Sequence, residues 1–283
     1  IRVSSTDLAG YTTEKQFDIG VTDVNEAPTD VGLEPTSVEE NEPVGTVVGS
    51  FTTTDPDAGE SFTYDLMPGE GDADNGSFLI DGNTLTTAET FDFESDDTYS
   101  IRVRSTDSGE EWVERQFTVT VDDVNEPPTG SDDGDATDED TAFTTINVLE
   151  NDTDPDPADV LSVSGLDTTG TAGSVTDNGN GTFDYDPNGE FEHLAAGESA
   201  TDTFSYTVSD GNGGTDSATV TVTVEGVNDA PTATDDVDAT DEDTSVTTVN
   251  VLTNDTDPDT SDTLSVMGMD DSATAGSVTN NGD

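Results

Sequence analysis

The stretch Asp123-Val-Asn-Glu-Pro-Pro128 decides how the chain is divided. A near copy stands at Asp23-Val-Asn-Glu-Ala-Pro28, and a weaker copy stands at Gly226-Val-Asn-Asp-Ala-Pro231. The asparagines of successive copies lie 100 and 103 residues apart along the chain. A sequence that resembles itself at the period of one small domain indicates a tandem array. We therefore interpret the acidic hexapeptide as the joint between successive repeats.

The chain is very acidic. Its 283 residues include 66 Asp and Glu against 5 Lys and Arg, for a formal charge of -61. Nucleic acid and anionic membranes are therefore poor partners, because phosphate binding requires Lys and Arg, and we expect no nucleic-acid binding. With no cysteine, an extracellular protein needs a staple other than disulfides, and metal is the obvious one. We find no signal peptide and no apolar run long enough for a bilayer, so we expect no membrane insertion by this part of the chain.

The apolar residues are phased, although 29% apolar content at this charge would otherwise suggest disorder. Tyr99, Ile101 and Val103 alternate with polar residues, as do Phe204 and Tyr206 in a later run. Such alternation predicts half-buried strands. We find no amphipathic helix of useful length. The sequence therefore predicts an all-β fold, a tandem array of Greek-key Ig-like or cadherin-like β-sandwiches of about 100 residues each.

Internal copies set the predicted domain boundaries. Residues 101–121 repeat residues 1–22, so the chain should open with the last hairpin of a truncated repeat, which is marginally stable alone. Asn151-Asp-Thr-Asp-Pro-Asp156 recurs as Asn254-Asp-Thr-Asp-Pro-Asp259. Because both ends fall inside repeats, we expect the chain to be a fragment. The predicted domains are a C-terminal hairpin at 1–28, complete β-sandwiches at 29–128 and 129–231, and the N-terminal part of a further repeat at 232–283.

Oxygen-rich motifs stand at set places in the first complete repeat. Val38-Glu-Glu-Asn41 opens it, Asp55-Pro-Asp57 follows a strand, Asp92-Phe-Glu94 precedes the Tyr99 strand, and Asp107 ends that strand. Taken singly, each is a common turn or loop cap. Calcium takes about six to eight oxygen ligands from carboxylates, amides and carbonyls. The full ordered set, with the joint hexapeptide, predicts calcium sites.

With these motifs, residues 29–128 resemble a cadherin repeat, which carries an early Glu-Asn, a DxD motif, a DRE-like triplet, a late Asp and a DxNDNxP linker. Residues 129–231 resemble the cadherin-like or VCBS-type repeats of large prokaryotic surface proteins. That second resemblance rests on Asp202-Thr-Phe-Ser-Tyr206, Ser209-Asp-Gly-Asn-Gly-Gly214 and Val227-Asn-Asp-Ala-Pro231. Together with the partial ends, the resemblance covers essentially the whole chain.

In the cadherin family, calcium lies between consecutive repeats. The upper repeat gives its early Glu, its DRE-like pair and the linker, and the lower repeat gives its DxD motif and late Asp. For the first joint the resemblance implies the ligands Asn25, Glu26, Asp55, Asp57 and Asp107. For the second it implies Glu40, Asp92, Glu94, Asn125 and Glu126 from above, with Asp154, Asp156 and Asp210 from below. For the third it implies Glu139, Asn228, Asp229, Asp257 and Asp259.

The third joint departs from the family's pattern. Gly226 stands where Asp23 and Asp123 stand in the other copies, and no clear equivalent of the DRE-like triplet precedes Asp202. Each of the three linkers is also one residue shorter than the family's.

Other functions compete with calcium binding. Solvation in a halophilic protein would explain most of the 66 acids, so a calcium-independent spacer is one alternative. Carbohydrate-binding accessory repeats of a secreted polysaccharide-active enzyme are another, which an exposed aromatic platform would favour; we expect Trp112 to pack on a hairpin instead. With one histidine (His193), no cysteine and no Gly-x-Ser-x-Gly elbow, we expect no enzyme.

The sequence favours a calcium-binding, calcium-rigidified array located outside the cell or at its surface. It would act as a stalk or adhesive segment in cell adhesion, with Ca²⁺ as its cofactor. The partners we expect, besides calcium, are other copies of the protein and polysaccharide of the cell surface or matrix.

Overall fold

The computed structural model of the chain describes residues 1–281. The chain divides into two compact units, Ile1–Val124 and Asn125–Asp283. Across the described residues nearly all regular structure is β-strand, and the helical elements are two 3-10 turns, Asn75–Ser77 and Val148–Glu150. The all-β prediction is confirmed.

The first unit opens with a hairpin. Strand β1 (Arg2–Thr6) pairs antiparallel with β2 (Thr12–Gln16), and Arg2 lies opposite Gln16. Every residue of the two strands is exposed. The predicted hairpin is therefore present, and it has no buried side chain to stabilise it beyond its own hydrogen bonds.

The rest of the first unit is a β-sandwich of two four-stranded sheets. One sheet has the order β4-β10-β9-β6, in which β4 runs parallel to β10, and the other has the order β3-β5-β8-β7. The phased run at 99–121 forms the long antiparallel pair β9 and β10, as the alternation predicts. The strands are β3 (Asp30–Glu34), β4 (Ser37–Glu39), β5 (Val47–Thr54), β6 (Thr63–Leu66), β7 (Phe78–Asp81), β8 (Thr84–Thr87), β9 (Thr98–Thr106) and β10 (Trp112–Asp122).

Alternate side chains from both sheets meet in a single core. Ile101 and Val103 of β9 pack with Phe51 of β5 and Leu85 of β8 in one buried cluster. The Phe51 ring stacks on Tyr64 with ring centroids 5.1 Å apart, which joins the two sheets. A fully buried side chain of this size contributes about 1.5–3 kcal/mol through removal of apolar surface from water. This core holds the loops that carry the acidic motifs.

The second unit contains a related sandwich. Its larger sheet has the order β11-β17-β16-β13, with β11 parallel to β17, and its smaller sheet has the order β12-β15-β14. Phe204, Tyr206 and Val208 of β16 point into the core, as the alternation predicts. The strands are β11 (Asp133–Asp138), β12 (Phe143–Thr144), β13 (Ser162–Asp167), β14 (Ser174–Asp177), β15 (Phe183–Asp186), β16 (Ser199–Ser209) and β17 (Thr215–Glu225).

Residues 226–281, the remainder that the structure describes, contain no strand. They do reproduce the opening contact of the preceding repeat. Thr232 and Thr256 form an antiparallel bridge, as Thr129 and Thr153 do 103 residues earlier. The loop that carries the acidic motif is therefore held in the same way in both repeats.

The polar face of the β9–β10 pair carries a compact ion-pair cluster. Arg102 and Arg104 both donate to Glu114, from their Nε atoms at 2.9 Å and their Nη2 atoms at 2.5 and 2.6 Å. These hydrogen bonds, with the two positive charges, hold the pKa of Glu114 below its ordinary value of 4.5. A carboxylate with a lowered pKa stabilises the fold above its ordinary pKa, and this contribution is lost as the pH falls.

We predict that Glu114→Gln lowers the free energy of unfolding of this sandwich by about 1–2 kcal/mol at neutral pH, because a neutral amide cannot pair with two guanidinium groups. The difference from wild type should disappear as the pH falls through the lowered pKa. Denaturant unfolding across pH 2–7 at fixed salt measures it, with the exposed Glu111→Gln as control. A pH-independent difference would contradict the assignment.

Candidate metal centres at the repeat joints

At the first joint, the linker lies directly on two acidic loops of the sandwich that follows it. The Asn25 side chain donates from Nδ2 to Oδ2 of Asp107 at 3.0 Å. The Glu26 amide donates to Oδ2 of Asp57 at 2.8 Å, and the Asp57 amide donates to Oδ1 of Asp55 at 2.8 Å. The structure therefore brings all five residues expected at this joint into one connected set.

The pKa values of two carboxyl groups at this joint, Asp107 and Glu26, are shifted in opposite directions. Burial acts to raise the pKa of Asp107, but hydrogen bonds from the Asn25 side chain and from loop amides outweigh it and lower the pKa. The negative charge of Asp57, followed by burial, raises the pKa of Glu26. Asp107 is thus stabilised as an anion by its donors, whereas Glu26 faces the negative charge of Asp57.

The second unit repeats this arrangement at its own first residues. The Asn125 side chain donates to Oδ2 of Asp210 at 2.9 Å, and the Glu126 amide donates to Oδ2 of Asp156 at 2.8 Å. The Asp156 amide in turn donates to Oδ1 of Asp154 at 3.0 Å. Burial raises the pKa of Asp154, and the neighbouring negative charges add to the effect.

A carboxylate that the sequence interpretation missed belongs to this set. Ligand oxygens of Asp154, Asp156 and Asp159 all lie within 4.8 Å of one another. The side chain of Asn212 donates to Oδ1 of Asp159 at 2.8 Å, and this holds the other oxygen in place. The signal was present in the sequence, because acidic residues at positions 1, 3 and 6 recur in all three loops, at 55–60, 154–159 and 257–262.

Three further carboxylates expected as ligands lie together at the end of the first unit. Oxygens of Glu40, Asp92 and Glu94 are within 4.8 Å of one another. Glu40 is buried, and its two oxygens accept from the amides of Phe93 at 2.8 Å and Val124 at 2.9 Å. Glu40 is therefore hydrogen-bonded to both the DRE-like loop and the linker of its own repeat.

The third joint lies within the second unit and gathers carboxylates from three segments. Oxygens of Glu139, Asp229 and Asp259 lie within 4.8 Å of one another. The Asp229 amide donates to Oδ2 of Asp259 at 2.9 Å, and the Asp259 amide donates to Oδ1 of Asp257 at 3.1 Å. Oε1 of Glu139 accepts from the Val227 amide at 2.8 Å, as Glu40 accepts from a linker amide in the first unit.

Asn228 is the fifth residue expected at the third joint, and its side chain makes a local hydrogen bond. The Asn228 side chain donates to the backbone carbonyl of Asp229, the next residue. The other four expected residues, Glu139, Asp229, Asp257 and Asp259, belong to the connected acidic set. Asn25 and Asn125 make the corresponding bonds to the carbonyls of Glu26 and Glu126, and they also reach a late Asp of the sandwich that follows them.

Buried oxygens without a donor show whether these residues fit a cation. Ionised carboxylates only accept hydrogen bonds, and an unsatisfied buried acceptor costs about 1–3 kcal/mol. A hard divalent cation such as calcium supplies the missing partner for several such oxygens at once. This set of carboxylate oxygen ligands therefore fits calcium. The buried oxygens without a hydrogen-bond partner include Oδ2 of Asp55, Oε2 of Glu139, Oδ2 of Asp154, Oδ2 of Asp159, Oδ2 of Asp229 and Oδ1 of Asp259.

Trp112 and His193 are the residues that bear on the two other functions considered, carbohydrate binding and catalysis. Trp112 is 49% exposed, and its ring packs on its own hairpin, where the Arg104 guanidinium of β9 lies 4.2 Å from the ring centroid. One ring already covered by an arginine is not the multi-ring platform that would favour carbohydrate binding. His193 is exposed, and its backbone carbonyl accepts from Thr260.

The fold and the joints together define a class, namely β-sandwiches in tandem with carboxylate clusters where repeats meet. Known families match three consecutive parts of the chain. A cadherin domain matches residues 34–122, a bacterial cadherin-like domain matches residues 125–226, and a cadherin-like domain matches residues 227–283. The chain is a tandem array of cadherin and cadherin-like repeats.

Curated relatives and solved structures agree with this assignment. The chain is 38% identical over 96 residues to mouse cadherin EGF LAG seven-pass G-type receptor 1, and 36% identical over 135 residues to mouse protocadherin Fat 2. These matches cover 32% and 45% of the chain but 3% of each relative.

Among solved structures, extracellular cadherin domains 1–5 of protocadherin gamma B2 match with a TM-score of 0.53 and 22% identity. This match covers 81% of the chain and 45% of that structure. Domains 3–6 of the same protein match with a TM-score of 0.50 and 20% identity, covering 82% and 58%. At this identity the structural matches establish the fold. No helix in the described part of the chain is long and apolar enough to span a membrane.

We predict that Gly109→Ala loosens the first joint, because a Cβ at this position would lie 2.4–2.6 Å from side-chain atoms of Asn25 and would displace them. Loss of a hydrogen bond to a charged group, at about 1.5 kcal/mol, corresponds to roughly tenfold faster amide exchange in residues 23–28. Hydrogen–deuterium exchange measures this rate. Gly76→Ala is the control, since no atom lies within 4 Å of its Cβ position. Equal rates in the two variants would contradict the prediction.

Proposed function

We propose that this chain is a calcium-binding segment of an extracellular array, in which calcium at the joints stiffens the chain. The cluster of Glu139, Asp229 and Asp259 carries the proposal. By the predicted boundaries, these residues come from a repeat, its linker and the following repeat. A cation bound to all three would be shared across the joint. The proposed ligands also include all the residues that the resemblance implies at the first and second joints.

In this proposal, the charge of calcium stiffens the joint because it removes the repulsion between carboxylates. Without a cation, close carboxylates repel one another, and burial adds to the cost of keeping them ionised. The linker can then leave the acidic loops and flex. With calcium bound, linker and loops share one ligand set, and the angle between the repeats is fixed. The residues of the chain supply oxygen ligands and orient them through backbone amides, and calcium supplies the charge.

The affinity range of extracellular calcium modules suits this role. Such modules bind calcium with dissociation constants of about 10⁻⁴–10⁻³ M. At about one hundred times the dissociation constant, one site adds roughly 2.7 kcal/mol to the stability of the form that binds. Several sites would strongly affect repeats whose cores are of modest size.

Stiffness supports a stalk or adhesive role in cell adhesion. Cadherin repeats are extracellular modules of adhesion-type proteins, and the matched relatives and structures are cadherins and protocadherins. We place the chain outside the cell or at its surface on this basis, as a binding and structural module rather than an enzyme. The proposed partners are calcium, other copies of the protein, and polysaccharide of the cell surface or matrix.

Small-angle X-ray scattering on the 283-residue chain tests the proposal. At fixed high salt, we expect the scattering profile to change from an extended, stiff particle in millimolar calcium to a more flexible one after chelation. Glu139→Gln should show part of this change while calcium is present, because Oε2 of Glu139 loses its charge. Glu242→Gln is the matched control, since Glu242 is an exposed residue at the same place in the next copy of the motif.

Superimposable profiles with and without calcium would overturn the mechanism. The acidic composition would then be a solvation adaptation, and the array a calcium-independent halophilic spacer. Calorimetric titration of the same samples with calcium separates a chain that binds without stiffening from one that does not bind.

We further predict that Asp159→Asn weakens calcium binding at its joint by about tenfold, because it removes one of three carboxylates gathered in loop 154–159. Glu60→Gln is the control. Glu60 holds the corresponding position in loop 55–60, where it accepts hydrogen bonds from Ser108. Competition with a chromophoric chelator measures both affinities. Equal losses in the two variants would show only a general effect of charge.

A further inference from the structure

The pattern Asn-X-Ser/Thr occurs four times in the chain, at Asn75-Gly-Ser77, Asn151-Asp-Thr153, Asn180-Gly-Thr182 and Asn254-Asp-Thr256. In secreted and surface proteins, the side-chain nitrogen of such an asparagine can accept an N-linked glycan. Three residues are too short a pattern to identify an acceptor by themselves. The structure adds a criterion, because the acceptor nitrogen has to be free and reachable.

The side chain of Asn75 is held on both sides within the first sandwich. Its Nδ2 donates to the Met67 carbonyl at 3.0 Å, and its Oδ1 accepts from the Arg102 amide at 3.0 Å. The residue is half-buried. Reaction at this nitrogen would require the side chain to leave its place between two segments of backbone.

Asn151 and Asn254 are also occupied, although both are exposed. Nδ2 of Asn151 donates to the carbonyls of Ser131 and Asp132 at 3.3 and 3.2 Å. Asn254 makes the same two bonds 103 residues later, each at 3.4 Å. In both copies the nitrogen therefore faces two backbone carbonyls.

The side chain of Asn180 is arranged differently. It is exposed on the loop between β14 and β15. Its Oδ1 accepts from the Thr182 amide at 3.1 Å and from the Thr182 hydroxyl at 2.7 Å, which closes an Asx-turn within the pattern itself. Among the described residues, none donates to or accepts from Nδ2 of Asn180. The acceptor nitrogen is therefore free.

Neighbouring contacts fix the direction of the hydroxyl bond. Nδ2 of Asn178 donates to the Thr182 hydroxyl at 3.1 Å and to Oδ1 of Asp184 at 3.1 Å. The Thr182 hydroxyl thus accepts from Asn178 and gives its own proton to Oδ1 of Asn180. Two donors on Oδ1 stabilise the negative charge that an amide carries when its nitrogen loses a proton. The turn therefore favours reaction at Nδ2 of Asn180.

The loop is anchored on one side of Asn180 and open on the other. The Gly181 carbonyl accepts from the Val148 amide at 2.9 Å, and Gly181 is buried. Gly179 is exposed, and no atom lies within 4 Å of its Cβ position. A bulky group on Asn180 can therefore extend from the loop without displacing a contact of the sandwich.

We propose that Asn180 is the acceptor of an N-linked glycan in the folded protein. Nδ2 of Asn180 forms a bond to the anomeric carbon of a sugar carried on a lipid diphosphate. The bond from that carbon to the diphosphate oxygen breaks, the lipid diphosphate leaves with the electron pair, and one Nδ2 proton passes to a base of the transferase. This site goes beyond the proposed calcium function and does not depend on it.

A transfer assay tests the proposal on the 283-residue chain, folded in millimolar calcium. The chain is incubated with an oligosaccharyltransferase that requires only the three-residue pattern and with N-acetylglucosamine on a synthetic lipid diphosphate. Short peptides, one around each asparagine, give the rate for each sequence without the fold. We expect about equal rates in chain and peptide at Asn180. At Asn75, Asn151 and Asn254 the chain should react about tenfold more slowly than its peptide, because the nitrogen has to leave its carbonyl partners first.

Variants of the folded chain separate the pattern from exposure alone. Thr182→Ser keeps a hydroxyl at this position and should retain transfer, whereas Asn180→Gln and Thr182→Val should abolish it in this loop. Asn188→Gln is the control, since Asn188 is an exposed asparagine that precedes glycine outside the pattern. Mass spectrometry of proteolytic fragments measures the modification at each site.

Protein isolated from the cells that produce it gives a second measurement, in which the fragment containing Asn180 should carry the added mass of sugar. An unmodified fragment would overturn the proposal. Equal ratios of chain rate to peptide rate at all four asparagines would also overturn it, because the hydrogen bonds would then select no site. Neither result bears on calcium, which scattering and calorimetric titration test separately.

Discussion

Repulsion between buried carboxylates is the constraint on which the joints depend. Glu139 and Asp259 are almost inaccessible to water, yet each has an oxygen that no donor reaches. Burying a charge without compensation is among the most expensive arrangements in a folded protein. The sandwiches can bear this cost because their cores do not include these groups. Under the proposed function, a divalent cation would offset this cost at the joint.

Backbone amides, more than side chains, set the direction of the acidic groups. The Glu26, Glu126 and Asp229 amides each donate to the third residue of a Asp-Pro-Asp loop. These bonds occupy one carboxylate oxygen and leave the other facing its neighbours. Arranging acceptors by main-chain contacts requires no basic residue, which a chain with 5 Lys and Arg could not supply at every joint.

The phasing of apolar residues was sufficient to predict the strands and their buried faces, because alternation is local and both sandwiches bury one face of each long strand. The linker residues and Asp-Pro-Asp loops were identified by their repetition. Asp159 was missed although its spacing recurs, and the spacing alone does not decide the role, because Glu60 at the corresponding position accepts from Ser108 instead. The close approach of the Ala195 and Leu194 carbonyls to Gly226 could not be predicted, because it is a tertiary effect that no local pattern encodes.

The contact between the linker asparagine and the late aspartate has a consequence for how such proteins grow. Asn25 with Asp107 and Asn125 with Asp210 make the same bond, although they precede sandwiches of different families and sequences. The linker asparagine therefore binds to both kinds of sandwich through the same hydrogen bond. Exchange of one whole repeat for the other would therefore preserve this bond, so the order of repeats can change without redesign of the contact.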